Sequence, residues 1–205
     1  MGSEKRFWEW FSKNQNKYFY LNQINNKSAK DKLLDDFLIQ LHKYCSNLYF
    51  LIGGQPNEKQ ELIITAEGNK DYFKKVIDLT NNAPIFDNWE IVAFKPPQGT
   101  DFITEYKGIT IDPTQMWFLP LEDDENPMLL GLKIYINNYD LKIEEDYLFA
   151  TYIVLDTILG EKSNTEDIEY IVLEKLPKEY KGLDLIKLSQ IQDYINWSKK
   201  NTNTH

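Results

Sequence analysis

Apolar residues spaced three and four apart predict two helices near the start of the chain. Phe7, Trp10 and Phe11 fall at i, i+3 and i+4, which is one face of a 3.6-residue period. The second helix has the clearest signal, because Ser28 is a suitable N-cap and Asp31 follows three residues later, as in a capping box. One apolar stripe then continues along this helix through Leu34, Phe37, Leu38, Leu41 and Cys45.

Two further helices have predicted starts and ends. One begins at Asn69 as its cap and stops at the Asn-Asn-Ala-Pro segment 81–84. The last helix of the chain begins at Ser189 and ends near the polar tail at 201–205. Both segments carry apolar residues at helical spacing.

The fourth helix in chain order is the most apolar. It is predicted to run from Glu144 to Leu159, with Gly160 as a left-handed C-cap. Its spacing predicts an inward face made of Leu148, Thr151, Tyr152, Leu155, Ile158 and Leu159.

Short apolar runs bounded by turn residues predict strands between these helices. Residues 48–52 and 61–66 are predicted to form a hairpin with a longer loop that begins at Gly53-Gly54. The other predicted strands are 89–95, 102–111, 116–121, 128–136 and 168–173. Strands joined by short turns are expected to pair in antiparallel fashion.

The order of these elements predicts an α+β fold. Runs of strands bracketed by helices are typical of this class, and not of a doubly wound parallel sheet. We expect a mainly antiparallel sheet with helices packed largely on one face, and an N-terminal helix pair. The 205 residues fit a single domain. Within it, 1–46 is a candidate helical subdomain, 47–200 is the α+β body and 201–205 is a flexible tail.

Composition favours a folded, acidic protein. Aromatic residues make up 14% of the chain, which is more than a disordered segment carries. The formal net charge of −9 argues against nucleic acid as a partner, because such binding begins with a basic footprint. No apolar run approaches the roughly 20 residues that span a bilayer. The single cysteine, Cys45, excludes an intramolecular disulfide and fits a reducing compartment. We therefore expect a cytoplasmic protein that binds neither nucleic acid nor membrane.

Motifs of known chemistry are missing from the sequence. His42 and Cys45 lie three residues apart, but a structural zinc site needs four such ligands, and the only other histidine is His205. Cys45 also falls in phase with the apolar stripe, whereas a catalytic thiol needs an exposed, electropositive setting. The chain has no Gly-x-Ser-x-Gly elbow and no glycine-rich phosphate loop. We therefore expect no catalytic residue, no cofactor and no metal.

One candidate ligand groove combines aromatic and charged residues. It consists of Trp89, Lys95, Asp112 and Trp117, with the rigid Pro96-Pro97 loop beside it. Aromatic walls with a few polar groups are typical of ligand pockets. The simpler interpretation is that alternating large residues on strands belong to the core, and the pattern favours it.

Carboxylates support an alternative function, a carboxylate-dependent hydrolase. Its candidates are Asp101, Glu105, Asp112, Asp156 and Glu161. Asp101 and Glu105 would lie about 13 Å apart along one predicted strand. That is wider than the roughly 5–9.5 Å between the carboxyls of a glycosidase pair. The hydrolase hypothesis therefore requires at least two of the five to converge in one pocket.

Four segments resemble a family of uncharacterised bacterial proteins classed as a domain of unknown function. They are Phe-Trp-Glu-Trp-Phe at 7–11, the strand and loop at 89–97, Leu-Asp-Thr-Ile-Leu-Gly-Glu at 155–161, and Asp-Tyr-Ile-Asn-Trp at 193–197. The resemblance covers nearly the whole chain. It implies a bacterial, cytoplasmic origin, and it brings no activity and no site residue.

The leading functional hypothesis is a non-catalytic binding or regulatory protein that recognises a basic protein partner. One version is the immunity protein of a secreted nuclease toxin, because acidic charge would speed such an encounter. The hydrolase is the alternative. The oligomeric state is left open, since Trp8 and Trp197 fit either an interface or ordinary packing.

Overall fold

The computed structural model describes residues 2–54, 58–122, 130–180 and 182–202. The chain divides into two compact units, Met1–Lys95 (unit 1) and Pro96–His205 (unit 2). The division lies at residue 95 and not at residue 46. The predicted hairpin loop at 55–57, the predicted strand start at 128–129 and the end of the tail at 203–205 lie outside the described residues.

Unit 1 places three helices on a three-stranded sheet. The helices are α1 (Ser3–Asn14), α2 (Lys27–His42) and α3 (Phe73–Asn81), and the strands are β1 (Tyr49–Gly53), β2 (Gln60–Thr65) and β3 (Trp89–Ala93). The sheet order is β1-β2-β3, with β1 antiparallel and β3 parallel to β2. Parallel neighbours need a long crossover, and α3 provides it.

The core of unit 1 is rich in aromatic rings. Phe37 of α2 stacks on Phe50 of β1 with ring centroids 4.0 Å apart, and it makes an edge contact with Tyr18 at 5.2 Å. All three helices contribute to this core, and β2 contributes Leu62 and Ile64 to it. The helices therefore cover one face of the sheet. Since α1 and α2 share the core of the strands, residues 1–46 do not have a core of their own.

Trp8 belongs to the same core. Its side chain is buried, and its indole Nε1 donates a hydrogen bond of 2.8 Å to the carbonyl of Leu79 at the end of α3. Buried indole groups generally find such a partner. Of the two interpretations of Trp8, ordinary packing therefore describes the structure.

Unit 2 combines a four-stranded sheet, a separate hairpin and two helices. The strands are β4 (Thr104–Tyr106), β5 (Ile109–Ile111), β6 (Met116–Glu122), β7 (Leu130–Ile136), β8 (Ile168–Lys175) and β9 (Ile186–Lys187), and the helices are α4 (Glu144–Asp167) and α5 (Ile191–Thr202). The sheet order is β8-β7-β6-β9. Only the β7–β8 pair is parallel, and α4 is its crossover.

One face of this sheet carries the main core of unit 2. Leu132 and Ile134 of β7 are fully buried there, together with Val154 and Leu155 of α4. The opposite face carries a smaller apolar cluster that consists of Trp117, Tyr135 and Leu176. Helices therefore pack largely on one face of mainly antiparallel sheets, which confirms the predicted α+β class.

The predicted strand at 102–111 is a tight hairpin instead. It is split into β4 and β5 by Lys107 and Gly108, whose φ angles are 48° and 83°. Two consecutive positive φ angles are typical of the type I′ turn, which matches the twist of paired strands.

The start of α2 differs from prediction, and α4 continues beyond its predicted end after a kink. The N-cap of α2 is Asn26, whose side-chain oxygen accepts a hydrogen bond of 3.1 Å from the backbone N–H of Ala29, so Ser28 lies inside the helix. In α4 the backbone leaves helical geometry at Gly160 (φ 73°, ψ 160°), where the predicted helix ends, and a further helical segment follows the kink and runs to Asp167. No helix among the described residues is both long and apolar enough to cross a lipid bilayer.

Candidate functional site

Two of the four predicted groove residues belong to unit 1. Trp89 begins β3 and is buried, with an edge contact to Phe11 at a centroid distance of 5.2 Å. Lys95 follows β3, and its Nζ lies 3.1 Å from Oε2 of Glu67. Glu67 itself has a positive φ of 50° in the turn after β2. Trp89 is therefore a core residue, and Lys95 takes part in an ion pair.

The other two groove residues belong to unit 2. Asp112 caps the 3₁₀ turn Pro113–Gln115, because its Oδ1 accepts hydrogen bonds from the backbone N–H and the hydroxyl of Thr114 at 2.8 and 2.6 Å. Trp117 lies on the outer sheet face, where its ring is 4.9 Å from that of Tyr180. All four side chains thus have structural contacts, and a groove that joins them stays a prediction.

The five candidate carboxylates of the hydrolase hypothesis lie in different surroundings. Asp101 and Glu105 are exposed, Asp156 is half-buried, and Glu161 is fully buried just after Gly160. Within the described ranges no three His, Cys, Asp or Glu side chains are grouped so that they could hold a metal ion. The hydrolase alternative stays a prediction.

His42 and Cys45 have the contacts of structural residues. A ring nitrogen of His42 lies 3.1 Å from the carbonyl oxygen of Leu48, which links the end of α2 to the chain before β1. Cys45 is half-buried and packs against the core of unit 1. This setting agrees with the interpretation of Cys45 as a small apolar residue.

An exposed apolar surface lies on α4. Phe149, Tyr152 and Ile153 are spaced i, i+3 and i+4, and their exposed fractions are 53%, 42% and 44%. A helix of a globular protein normally shows polar residues on the side that faces solvent. Three large apolar side chains on one solvent-facing stripe therefore need an explanation.

The predicted inward position of Tyr152 is wrong. Thr151, Leu155, Ile158 and Leu159 are buried as predicted, and the inward face also includes Ala150 and Val154. At 3.6 residues per turn, Tyr152 stands about 200° around the helix from Val154, on the opposite side. The spacing was ambiguous because α4 carries apolar residues all the way round, so that more than one stripe fits the helical period.

The β4–β5 hairpin is attached to α4 beside this stripe. The ring of Tyr106 lies 6.3 Å from that of Phe149, and Lys107 Nζ forms an ion pair of 2.7 Å with Oδ1 of Asp146. The hydrogen bond and the charge of Asp146 raise the pKa of Lys107. Tyr106, Phe149, Tyr152 and Ile153 together are called the α4 face below.

Acidic residues gather at the N-terminal end of α4. Its first turn carries Glu144, Glu145 and Asp146, and Asp140 caps the preceding 3₁₀ turn through a hydrogen bond from the backbone N–H of Lys142. Negative charge at a helix N-terminus is favourable because it meets the positive end of the helix dipole. The α4 face therefore has an acidic border that also stabilises the helix.

The net charge of the protein is carried by unit 2. Residues 1–95 contain 13 Lys and Arg against 12 Asp and Glu, whereas residues 96–205 contain 10 against 20. The formal charges of the two units are thus +1 and −10. The α4 face lies in the acidic unit.

Surface clefts lie among the described residues of unit 1. A cleft of about 340 Å³ lies beside β1 and is lined mainly by apolar residues, with Lys30 as its one charged group among the described lining residues. Two clefts of about 500 Å³ lie beside Pro84, one of them against Trp8 and the other against Trp89. Their volumes are within the range of small-molecule pockets.

In comparisons with known proteins, no protein-family model, no curated protein and no solved structure matches this chain. The resemblance to a family of unknown function therefore stays a prediction.

Proposed function

We propose that this protein is a non-catalytic binding module that docks a basic protein partner on its α4 face. The observation that carries the proposal is the exposed stripe of Phe149, Tyr152 and Ile153 on a helix of a unit with a net charge of −10. The proposal has an apolar part and an electrostatic part.

The apolar part concerns the centre of the contact. Contiguous exposed apolar residues on a folded protein commonly mark an interaction site. Aromatic side chains supply much of the binding energy at interfaces, where they are surrounded by groups that exclude water. Phe149 and Tyr152 have this role in the proposal, and Ile153 extends the apolar contact by about one turn of α4.

The electrostatic part selects the partner. Acidic groups at Glu144, Glu145 and Asp140 attract a basic surface and steer its approach, with a rate that falls as salt is added. The same charges repel phosphate backbones and anionic lipid headgroups. A basic protein fits this border better than a nucleic acid or a membrane does.

One specific form of the proposal is an immunity protein that covers a secreted nuclease. A nuclease that holds a phosphate backbone needs a basic surface, which an acidic partner can occupy. The expectation of a cytoplasmic location agrees with this form, since the protein would protect the cell that makes the toxin.

Site-specific photocrosslinking in the native host tests the proposal. A photoreactive phenylalanine analogue is introduced at Phe149, at Ile153 and, as a matched control, at Tyr20, which is an exposed aromatic residue of unit 1. We expect the same basic protein to be captured from Phe149 and Ile153 and not from Tyr20. Capture of an acidic protein, or equal capture at all three positions, would contradict the proposal.

Charge reversal supplies the second half of this test. Glu144→Lys combined with Glu145→Lys reverses two of the charges of the acidic border while the apolar stripe stays intact. We expect the association rate with the captured protein to fall at least about tenfold at low salt, and the difference to shrink as salt rises. An unchanged rate would remove the electrostatic half of the proposal.

A further inference from the structure

The longest described strand, β8, lies at the edge of its sheet. It spans eight residues, Ile168–Lys175, and comes first in the order β8-β7-β6-β9. In the described part of the chain, β7 is the one strand bonded to it. Its other edge therefore presents backbone N–H and C=O groups that can pair with a further strand.

The middle of β8 carries none of the usual protection of an edge. Natural edge strands are blunted by bulges, proline or charged side chains. Here the register with β7 shifts at Glu169, near one end, and the charged residues Glu174 and Lys175 lie at the other end, so that the unprotected middle is 170–173. Between them, Tyr170 and Val172 are 45% and 41% exposed.

We propose that β8 pairs in antiparallel fashion with β8 of a second copy of this chain, across a two-fold axis at Val172. In this register Glu169 of each copy lies opposite Lys175 of the other, so that two pairs of opposite charge form. Ile171 lies opposite Leu173, and these two residues of the strand centre face the core. The result is a continuous sheet shared by two copies.

Other registers fit less well. A two-fold axis between two residues would place core-facing positions opposite solvent-facing ones, because side chains alternate along a strand. An axis at Ile171 places Glu169 opposite Leu173, and an axis at Leu173 places Lys175 opposite Ile171. The axis at Val172 alone gives complementary charges at both ends, and this complementarity points to the chain's own strand as the occupant.

Sedimentation equilibrium of the full chain tests the proposal. From low to several hundred micromolar, we expect a monomer–dimer equilibrium. Glu169→Lys and Lys175→Glu should each weaken the dimer about tenfold, because each turns two attractive pairs into repulsive ones. The double variant restores both pairs with reversed sign, and it should dimerise within about threefold of the original chain.

Three outcomes would overturn the proposal. One is a monomer at every concentration. Another is a dimer on which the two single variants and the double variant have equal effects. The third is a dimer that Phe149→Ser abolishes, since that result would place the contact on the α4 face. This inference is independent of the proposed basic partner, so that either can fail alone.

The centre of the contact allows a second, independent measurement. Val172→Lys places two like charges at the axis, whereas Val172→Thr keeps a β-branched side chain of similar size. We expect Val172→Lys to weaken the dimer at least about tenfold and Val172→Thr to change it less than about threefold. Circular dichroism shows whether each variant is folded. If Val172→Lys does not fold, the variants Glu169→Lys and Lys175→Glu and their combination test the β8 pairing without it.

Discussion

Gly131 and Tyr170 face each other across β7 and β8, and the tyrosine ring occupies the space where a side chain at position 131 would stand. A β-carbon added at Gly131 would overlap with Cζ, Oη and Cε1 of Tyr170. Glycine weakens a strand interior in general, but an aromatic neighbour can cover it. The ring of Tyr170 therefore explains why position 131 is occupied by glycine.

Gly131→Ala is expected to destabilise the protein by about 1 kcal/mol, because the ring of Tyr170 must leave its position over β7. In a Tyr170→Ala background the same change should be neutral, or stabilising by up to about 1 kcal/mol, since alanine restricts the unfolded chain more than glycine does. Urea unfolding of the four proteins gives the coupling energy. Equal costs in both backgrounds would show that the ring of Tyr170 does not determine the effect of Gly131→Ala on stability.

The burial of Tyr18 in the core of unit 1 makes the stability of the protein depend on pH in the alkaline range. Burial raises the pKa of Tyr18 to about 12, and the negative charge of Asp36 adds to this shift. Because the folded pKa lies above the ordinary value of 10.0, the stabilisation from neutral Tyr18 is fully present below pH 10. It is lost as pH rises toward about 12.

Tyr18→Phe is expected to make stability less dependent on pH. Between about pH 10 and 12 the free energy of unfolding of the original chain should fall more steeply than that of the variant, by up to about 1.4 kcal/mol per pH unit. Urea unfolding at several pH values measures the difference. Parallel curves for the two proteins would show that Tyr18 ionises as easily in the folded state as in the unfolded state.

Among the elements, α4 has two apolar sides with different roles. Leu155 is fully buried, so Leu155→Ala is expected to destabilise the protein by about 2–5 kcal/mol. Phe149→Ala removes a larger side chain from an exposed position, and its cost should stay below about 1 kcal/mol. Thermal unfolding of both variants compares the two sides. A large cost at Phe149 would mean that the α4 face is needed for folding, which would weaken the proposal of a docking surface.

Helices and strands could be predicted from the sequence where a segment contained one clear apolar stripe or one clear apolar run. The stripe through Phe37 and Leu41 predicted α2, and both residues are fully buried. The turn between β4 and β5 was missed, because Lys107 is not a residue that signals a positive φ, although Gly108 beside it is. Gly160 was predicted to end the helix at Leu159, and the backbone does leave helical geometry there, but the further helical segment up to Asp167 was not predicted.

The candidate site was harder to predict than the fold. Phe149 and Tyr152 differ little from core residues in the sequence, and only the position of the sheet decides which side of α4 is covered. The predicted groove residue Trp89 shows the reverse case, because its aromatic character reflects burial. Exposure of an apolar residue depends on packing between distant segments, which hydrophobic periodicity does not contain.

At the scale of the whole molecule, charge is distributed unequally between the two units. The excess of ten negative charges in unit 2 means that its acidic groups repel one another on average. Salt screens this repulsion, with a Debye length of about 10 Å at 0.1 M ionic strength. The nearly neutral unit 1 has no comparable excess.

Rising salt is therefore expected to stabilise unit 2 more than unit 1. Hydrogen exchange measured by mass spectrometry should show opening free energies in the strands of unit 2 that rise by a few tenths to about 1 kcal/mol between low and physiological ionic strength. Peptides from β2 and β3 serve as the internal control and should change less. An equal response of both units would show that local ion pairs, and not the net charge of each unit, determine how the opening free energy changes with salt.

Each compact unit is one unbroken stretch of chain, and this has a consequence for synthesis on the ribosome. Every partner strand of β2 lies within residues 1–95, so the first sheet is complete in sequence before residue 96 is added. At roughly 5–20 residues per second, translation of residues 96–205 takes about 5–20 s. The aromatic core of the first half therefore has time to assemble while the acidic half is still being made.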